Sequence, residues 1–371
     1  MGKAIFKMNI LKKYAAAVCI PPLEENVFLD LEASIKRENL IRRFFQRLIK
    51  DLILLIYGQF KLDKDAIPDK KMKILWIHYG RLNIGDLLMD LSPRALFDNK
   101  KFSIDLFTKD KVNEIFINDK YFKKLITNPN DLTHKKYDFV IMQKFSGPII
   151  KLKIKYLKNI PFFCIQRYFA FGNYSRLLFG YFSLFKALNK KSLGDKKIIQ
   201  TYFNLSLSHK PLNKKNNIFI AIGGAQKDRT YKKWVQVIDS LLKKQSNINF
   251  YLVGSKNGIM DAEEIMENFS NSKRIHNFVG KLTLIQTFER LKESTVFMCA
   301  DGGLMHLGKA LNLQMVALFS GHIHPLMRFI PSDKSTTIHS KNINSIDTNL
   351  ISYEAQKLLK SPTKKLNLIF R

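Results

Sequence analysis

Residues 294–321 read STVFMCADGGLMHLGKALNLQMVALFSG, and the reading of this stretch decides what the chain around it can be. Positions 295–299 are apolar or β-branched, Asp301-Gly302-Gly303 is a turn, and 304–311 carries apolar residues at helical spacing. A second buried strand follows over 315–319. The spacing therefore predicts strand, turn, helix, strand. Two glycines between a strand and a helix let a ligand approach the backbone, and the helix N-terminus offers it unpaired N–H groups, so the turn suits an anion such as a phosphate. His306 falls in the first helical turn, where it can donate to a phosphate oxygen. The same pattern also describes a core turn whose histidine is satisfied internally, and composition alone does not choose between the two.

The run D-G-G-L-M-H-L-G-K-A-L-N-L-Q-M-V-A-L-F-S-G from Asp301 onward is similar to the D-T-G-x-M-H-L-A-A-A-L-G-x-P-x-V-A-L-F-G segment of glycosyltransferase family 9. That family includes the ADP-heptose:lipopolysaccharide heptosyltransferases. Gly302 stands at the family's Thr, Lys309 at a small residue and Gln314 at its Pro. Near the start of the first domain, KILWI over 73–77 followed by Gly85-Asp86 resembles K-I-L-x-I-R-x-x-x-x-G-D, with Pro93 one residue late and His78 or Arg81 at the place of the family's Arg. Asp138 to Gln143 resembles a Y-D-x-V-I-D-x-Q strand. Lys232-Lys233-Trp234 resembles K-x-W-P, with Val235 for Pro, and Val279-Gly280-Lys281-Leu282-Thr283 resembles a loop that frames adenine through its backbone.

The resemblance gives these residues roles. An acid at a helix start is ordinarily a cap or a dipole partner, but the resemblance implies that Asp86 is the general base that deprotonates the acceptor hydroxyl, in a cleft where partial burial would raise its pKa. It implies further that Lys232 reaches the donor phosphates or sugar, with Lys227 and Arg229 as rival cations in the same loop. Lys281, Gly302, Gly303 and His306 join the donor site, and Asp301 orients the turn or contacts the sugar. Asp261, Glu263 and Glu264 all follow the strand at 249–253, and any of the three is placed to hold a ribose.

Composition bounds the rest. The chain has 371 residues, of which 46% are hydrophobic, enough for two domains with cores and an extension. Lys and Arg total 62 against 31 Asp and Glu, a net charge of +31 spread along the chain, which favours anionic partners: a nucleotide-sugar, an acidic membrane surface or a nucleic acid. A nucleic-acid binder requires a clustered basic face or a recognised module, and neither is present, so no nucleic acid is expected. Cys19, Cys164 and Cys299 have no metal or disulfide spacing. No signal peptide and no run of spanning length is read, so membrane contact is expected to be peripheral.

In chain order, 1–71 reads as a basic helical extension and linker. Apolar residues from Leu31 to Leu52 recur at helical spacing with Arg42, Arg43, Arg47 and Lys50 between them. The expectation is a helix that packs its apolar face on the body and solvates its charges; the alternative is that it docks on an anionic membrane surface. Asp63 and Asp65 resemble a metal-binding pair but read as solvated linker residues. The aromatic stretch 160–188, interleaved with Arg167, Arg176 and Lys186, reads as core; the alternative is a surface that stacks on bases or sits at a lipid headgroup layer.

Strand–helix alternation from Met72 to about Leu359, with new starts at Lys73 and Ile218, predicts an α/β protein of two doubly wound, Rossmann-like domains in series. The resemblance implies the GT-B arrangement: an acceptor domain over 72–210 and a donor domain over 211–371, facing a cleft, with a late helix crossing back to the first. It also implies inverting, metal-independent transfer of heptose from ADP-heptose to an anionic core sugar, Kdo, on a lipid A-linked acceptor at the cytoplasmic face of the inner membrane. No cofactor is expected. The alternative is another family 9 sugar or acceptor.

Overall fold

A computed structural model describes residues 40–79, 83–108, 116–117, 119–133, 136–167, 176–189, 216–224, 226–321, 325–329 and 334–360. The chain divides into two compact units, Met1–Leu207 with Leu326–Ile330, and Ser208–Pro325 with Pro331–Arg371. Each is built on one parallel sheet.

The first unit begins with helix α1 (Leu40–Ile56), which Gly58 ends at φ +64°. Strand β1 (Met72–His78) follows, then helix α2 (Ile84–Asp90), strands β2 (Phe102–Thr108), β3 (Phe122–Ile126) and β4 (Phe139–Lys144), helix α3 (Gly147–Tyr156), strand β5 (Phe162–Gln166) and helix α4 (Arg176–Ala187). The strands lie in the order β3-β2-β1-β4-β5, all parallel. Central strands covered on both faces read as continuous apolar runs rather than as alternation, which is why KILWI and FVIM were legible. Leu75, Ile77, Val140, Met142 and Phe162 form the core with Ile149 and Ile150 of α3.

The second unit contains β6 (Asn217–Ala221), α5 (Trp234–Lys244), β7 (Asn249–Val253), α6 (Ile259–Asn268), β8 (Ile275–Asn277), α7 (Leu284–Leu291), β9 (Val296–Ala300), α8 (Gly303–Ala310), β10 (Met315–Ser320), β11 (Ser335–Ser340) and α9 (Thr348–Lys360). Its strand order is β11-β10-β9-β6-β7-β8, again parallel. In order of appearance this is 3-2-1-4-5-6 read from the far edge, the doubly wound pattern whose direction reverses between β6 and β9. The expected strand, turn, helix, strand of 294–321 is β9, Asp301-Gly302, α8 and β10.

Helix α9 lays Ile351, Ala355 and Leu358 into the core of the second unit, beside Val237, Ile238 and Leu241 of α5. Residues spaced by four and three positions form one apolar stripe, and the stripe of α5 is its complement.

Helix α1 departs from expectation. Leu54 is buried and Ile53 partly so against the first core, but the basic side also faces the body. Arg47 pairs with Asp51 at 2.8 Å, donates to the Arg167 carbonyl at 3.2 Å and lies 5.0 Å from the Phe145 ring centroid, with Lys50 over the same ring. Phe45, Leu48, Ile49, Leu52, Leu55 and Ile56 face outward, 51–69% exposed. The body offers a ring and a carbonyl to this helix, and these suit a guanidinium and its methylene stem. Residues 31–39, where the helix was expected to start, lie outside the described residues, as do Cys19 and Arg81. Among the described residues no helix is long and apolar enough to cross a membrane.

Asp63 is also not solvated: its carboxylate forms an ion pair with Arg167 at the start of the first core, and only Asp65 is exposed. The aromatic stretch is core as read where it is described, with Phe162, Phe179 and Tyr181 buried; Tyr168, Phe169, Phe171 and Tyr174 lie outside the described residues.

One buried cation joins the end of α1 to this domain. Lys153 of α3 is fully buried, and its Nζ donates to Gln59 Oε1 and to the Leu157 carbonyl, each at 2.7 Å. Burial lowers its ammonium to about 7. The unfolded lysine binds its proton up to a higher pH than the folded one, so this group makes stability rise with pH above about 7. Urea unfolding is expected to show the parent gaining on the order of 1–2 kcal/mol more than Lys153→Met between pH 7 and 9. Equal gains in the two proteins would mean that Lys153 titrates normally.

Candidate active site

In an open parallel sheet, side chains that act on a ligand gather past the carboxyl ends of the strands, where the strand order reverses. In the second unit these ends belong to β6 and β9. The loop after β9 carries Asp301 and Gly302, and α8 begins at Gly303. Gly302 is extended, at φ 177°, and a Cβ there would meet only the Ala300 carbonyl at 3.9 Å, so the position has room for the family's Thr. The first amides of α8 lack intrahelical acceptors by geometry. His306 is buried one turn in, with its amide 3.4 Å from the Gly302 carbonyl.

The loop after β6 brings its cation to this turn. Arg229 Nη1 lies 3.4 Å from Asp301 Oδ2, and both side chains are largely buried. This pair spans the two strands between which the sheet reverses. Asp301 thereby ties the turn after β9 to the loop after β6.

Lys232 is placed differently from Arg229. Its amide donates to Asn344 Oδ1 at 2.8 Å, and its ammonium rests on Asp261 in the first turn of α6. Of the three acids considered for a ribose, Asp261 is the one at the end of the β7 loop; Glu263 and Glu264 are exposed on the outer side of α6. Lys281 is exposed and donates to the Asn277 carbonyl at 3.0 Å. The geometry thus joins Arg229, Asp301, Gly302, Gly303 and His306 around one turn, and places Lys232 and Lys281 on neighbouring loops with partners of their own.

These loops pack backbone on backbone. Gly223 ends β6 at φ +83°, and a Cβ there would fall 2.7 Å from Gly258 Cα. A Cβ on Gly258 would fall 2.6 Å from the Ile222 carbonyl, and one on Gly254 would collide with the same oxygen.

Asp86 belongs to the first unit, in the first turn of α2, which Asn83 caps by accepting from the Gly85 amide at 3.3 Å. The carboxylate is partly exposed and accepts from Arg176 Nη1 at 2.6 Å. The same guanidinium donates through Nε and Nη2 to both oxygens of Asp90, each at 2.7 Å. Asp90 is fully buried and also accepts from Gln166 Nε2 at 2.8 Å, and it lies 3.0 Å from His78 Nε2. Burial pushes its carboxyl upward, but Arg176 and His78 together outweigh this and hold it far below the usual carboxylate range. His78 is therefore a buried partner of Asp90.

Sequence reading missed Arg176, Asp90 and Gln166. One signal was available: Asp86 and Asp90 stand four apart on a helix, and two like charges on one face call for a cation between them. Among the described residues no group of three or more His, Cys, Asp or Glu is gathered to hold a metal ion.

Comparison with known proteins agrees with this architecture. A glycosyltransferase family 9 structure from Veillonella parvula is similar at 13% identity with a TM-score of 0.60, over 80% of this chain and 99% of that one. Escherichia coli heptosyltransferase WaaC with ADP is similar at 15% identity with a TM-score of 0.61, over 77% and 100%. Escherichia coli ADP-heptose lps heptosyltransferase II follows at 18% identity and 0.57, over 78% and 98%. No curated protein matches the chain in sequence. These likenesses establish the GT-B fold. The family model described as "Glycosyltransferase family 9 (heptosyltransferase)" matches residues 171–356, half of the chain and the whole of the second sheet with Arg176, Arg229, Lys232 and Asp301, so the chain is an enzyme belonging to glycosyltransferase family 9.

Proposed function

We propose that the enzyme transfers heptose from ADP-heptose to an anionic core sugar, Kdo, on a lipid A-linked acceptor, inverting the anomeric carbon and using no metal. The unit with the first sheet takes the acceptor and the unit with the second takes the donor. The observation that carries the reading is the Arg229–Asp301 pair at the sheet's reversal, which sets a guanidinium beside a glycine turn and a helix N-terminus. That combination suits a diphosphate. Solved relatives are described as bound to ADP and to ADP-2-deoxy-2-fluoro heptose, which supports this class of donor.

In the reaction, Asp86 takes the proton of the acceptor hydroxyl as that oxygen bonds to C1 of the heptose. The bond from C1 to the diphosphate oxygen breaks, and ADP leaves with the electron pair. Arg229, Lys232, Lys281, His306 and the amides of Gly302 and Gly303 meet the negative charge that develops there. Arg176 is a positioning residue: its third N–H group fixes the Asp86 carboxylate while the other two are held by buried Asp90. The acceptor is embedded in a bilayer, so the enzyme works as a peripheral protein on the cytoplasmic face of the inner membrane.

The test is transfer by the purified enzyme from ADP-heptose to Kdo-bearing lipid A, read by mass. One added heptose is expected, with activity persisting in excess EDTA because cationic side chains and amides take the place of a metal ion. Activity lost with EDTA and restored by magnesium would overturn the metal-free site, and addition of a different sugar would overturn the donor.

A further inference from the structure

Eight of the thirteen exposed large hydrophobic residues among the described ones lie between positions 45 and 60: Phe45, Leu48, Ile49, Leu52, Leu55, Ile56, Tyr57 and Phe60. The helical six recur at three- and four-residue steps, so they line one side of a helix about 25 Å long. A single exposed leucine is ordinary; a contiguous apolar face of this size marks an interaction surface. The orientation is not accidental. The side of α1 that carries Arg47 is fastened to the body by the Arg167 carbonyl and the Phe145 ring, and buried Gln59 and Lys153 anchor the segment just beyond it. The fold thus holds Arg47 and Lys50 against the body and presents the leucines.

We infer that this outward face of α1 inserts into the surface of an anionic lipid bilayer. Charge selects the occupant. Arg42 at one end and Lys61 and Lys64 at the other are exposed beside the apolar row, the ring side chains of Tyr57 and Phe60 close its carboxyl end, and the whole chain carries +31. Cations flanking an apolar face with aromatics at its border suit the headgroup and acyl boundary. A second copy of the chain would bring another +31 to the same place, and like charge opposes that association. The attachment is chiefly apolar: salt weakens the flanking cations but leaves the buried side chains. The inference rests on the proposed lipid-linked acceptor only in making a bilayer the surface the enzyme must reach.

The experiment uses the full-length protein and vesicles of phosphatidylcholine with and without phosphatidylglycerol. Trp76 and Trp234 are both buried in domain cores, so the fluorescence of Leu52→Trp reports on the new residue. Its emission should shift to the blue most with anionic vesicles, and a smaller shift should remain at high salt and with phosphatidylcholine alone. Leu48→Ser/Leu52→Ser/Ile56→Ser should lose on the order of a hundredfold or more in vesicle affinity, while turnover on a water-soluble acceptor fragment is retained. Equal cosedimentation of parent and triple variant would overturn the inference. So would a parent that ignores vesicles, or one that sediments as a dimer dissociated by the triple substitution without binding lipid. Because turnover is read on a soluble fragment, failure of the docking and failure of the proposed reaction are separable.

Discussion

Replacing Asp86 with Asn is expected to lower kcat by about 10²–10⁴-fold, the usual contribution of a positioned general base. Asparagine keeps an oxygen in place to accept from Arg176 Nη1, which Asp86 now does at 2.6 Å, so α2 and its network should survive. The proposed donor groups belong to the other unit, and ADP affinity measured by calorimetry should stay within about twofold of the parent. A fall in turnover with unchanged ADP binding is the signature of a lost base. Parental turnover in Asp86→Asn would remove this residue from the chemistry.

The second large effect is expected at Arg176. Arg176→Gln leaves Asp90, with no exposed side-chain surface, beside His78 and Gln166 alone. Removing one partner of a buried ion pair typically costs about 3–5 kcal/mol, because the other charge stays buried. Urea unfolding should show a loss of that size, and turnover should fall as well, since Asp86 loses the same guanidinium. The companion variant Arg176→Gln/Asp90→Asn separates the two consequences: removing the buried charge should restore much of the stability and little of the turnover. The pH dependence has a definite sign. In the parent the Asp90 carboxyl is held far below its unfolded value, so its contribution is present above about pH 4 and is lost as pH falls through the lowered folded value. Without Arg176 that acid-side loss should flatten. Parental stability in Arg176→Gln would mean that Asp90 is held without it.

What could be read from the amino acids follows the range of the interactions. Strands β1, β9 and β10 are central and covered on both faces, so MKILWIH, VFMCA and MVALFS appear as unbroken apolar runs. Strands β3 and β11 are sheet edges, and FKKLI and STTIHS carry the polar residues that edges tolerate, so neither stood out. Strand β5 was hidden inside an aromatic stretch that is helix on its other side. The turn at Asp301 was legible because its signals are adjacent in the chain. Its link to Arg229 was not, nor was the link of Asp86 to Arg176, which lie 90 residues apart. For α1, periodicity gave the apolar stripe correctly but carries no information about which side the body takes. That depended on Phe145 and the Arg167 carbonyl, which no local pattern could announce.

The close approach of Gly223, Gly254 and Gly258 bears on how such an enzyme can be re-engineered for a new donor. Any side chain at these three positions would strike the backbone of a neighbouring loop, so randomising them yields misfolded clones whatever sugar is sought. The same crowding couples the loops after β6 and β7, so a length change in one requires a matching change in the other. Gln226, Lys227, Asp228 and Lys256 border the glycines and are exposed. A combinatorial library confined to those four codons explores the rim of the proposed donor site while leaving the chassis that supports it, including the Asn257 amide on the Gly224 carbonyl, unaltered.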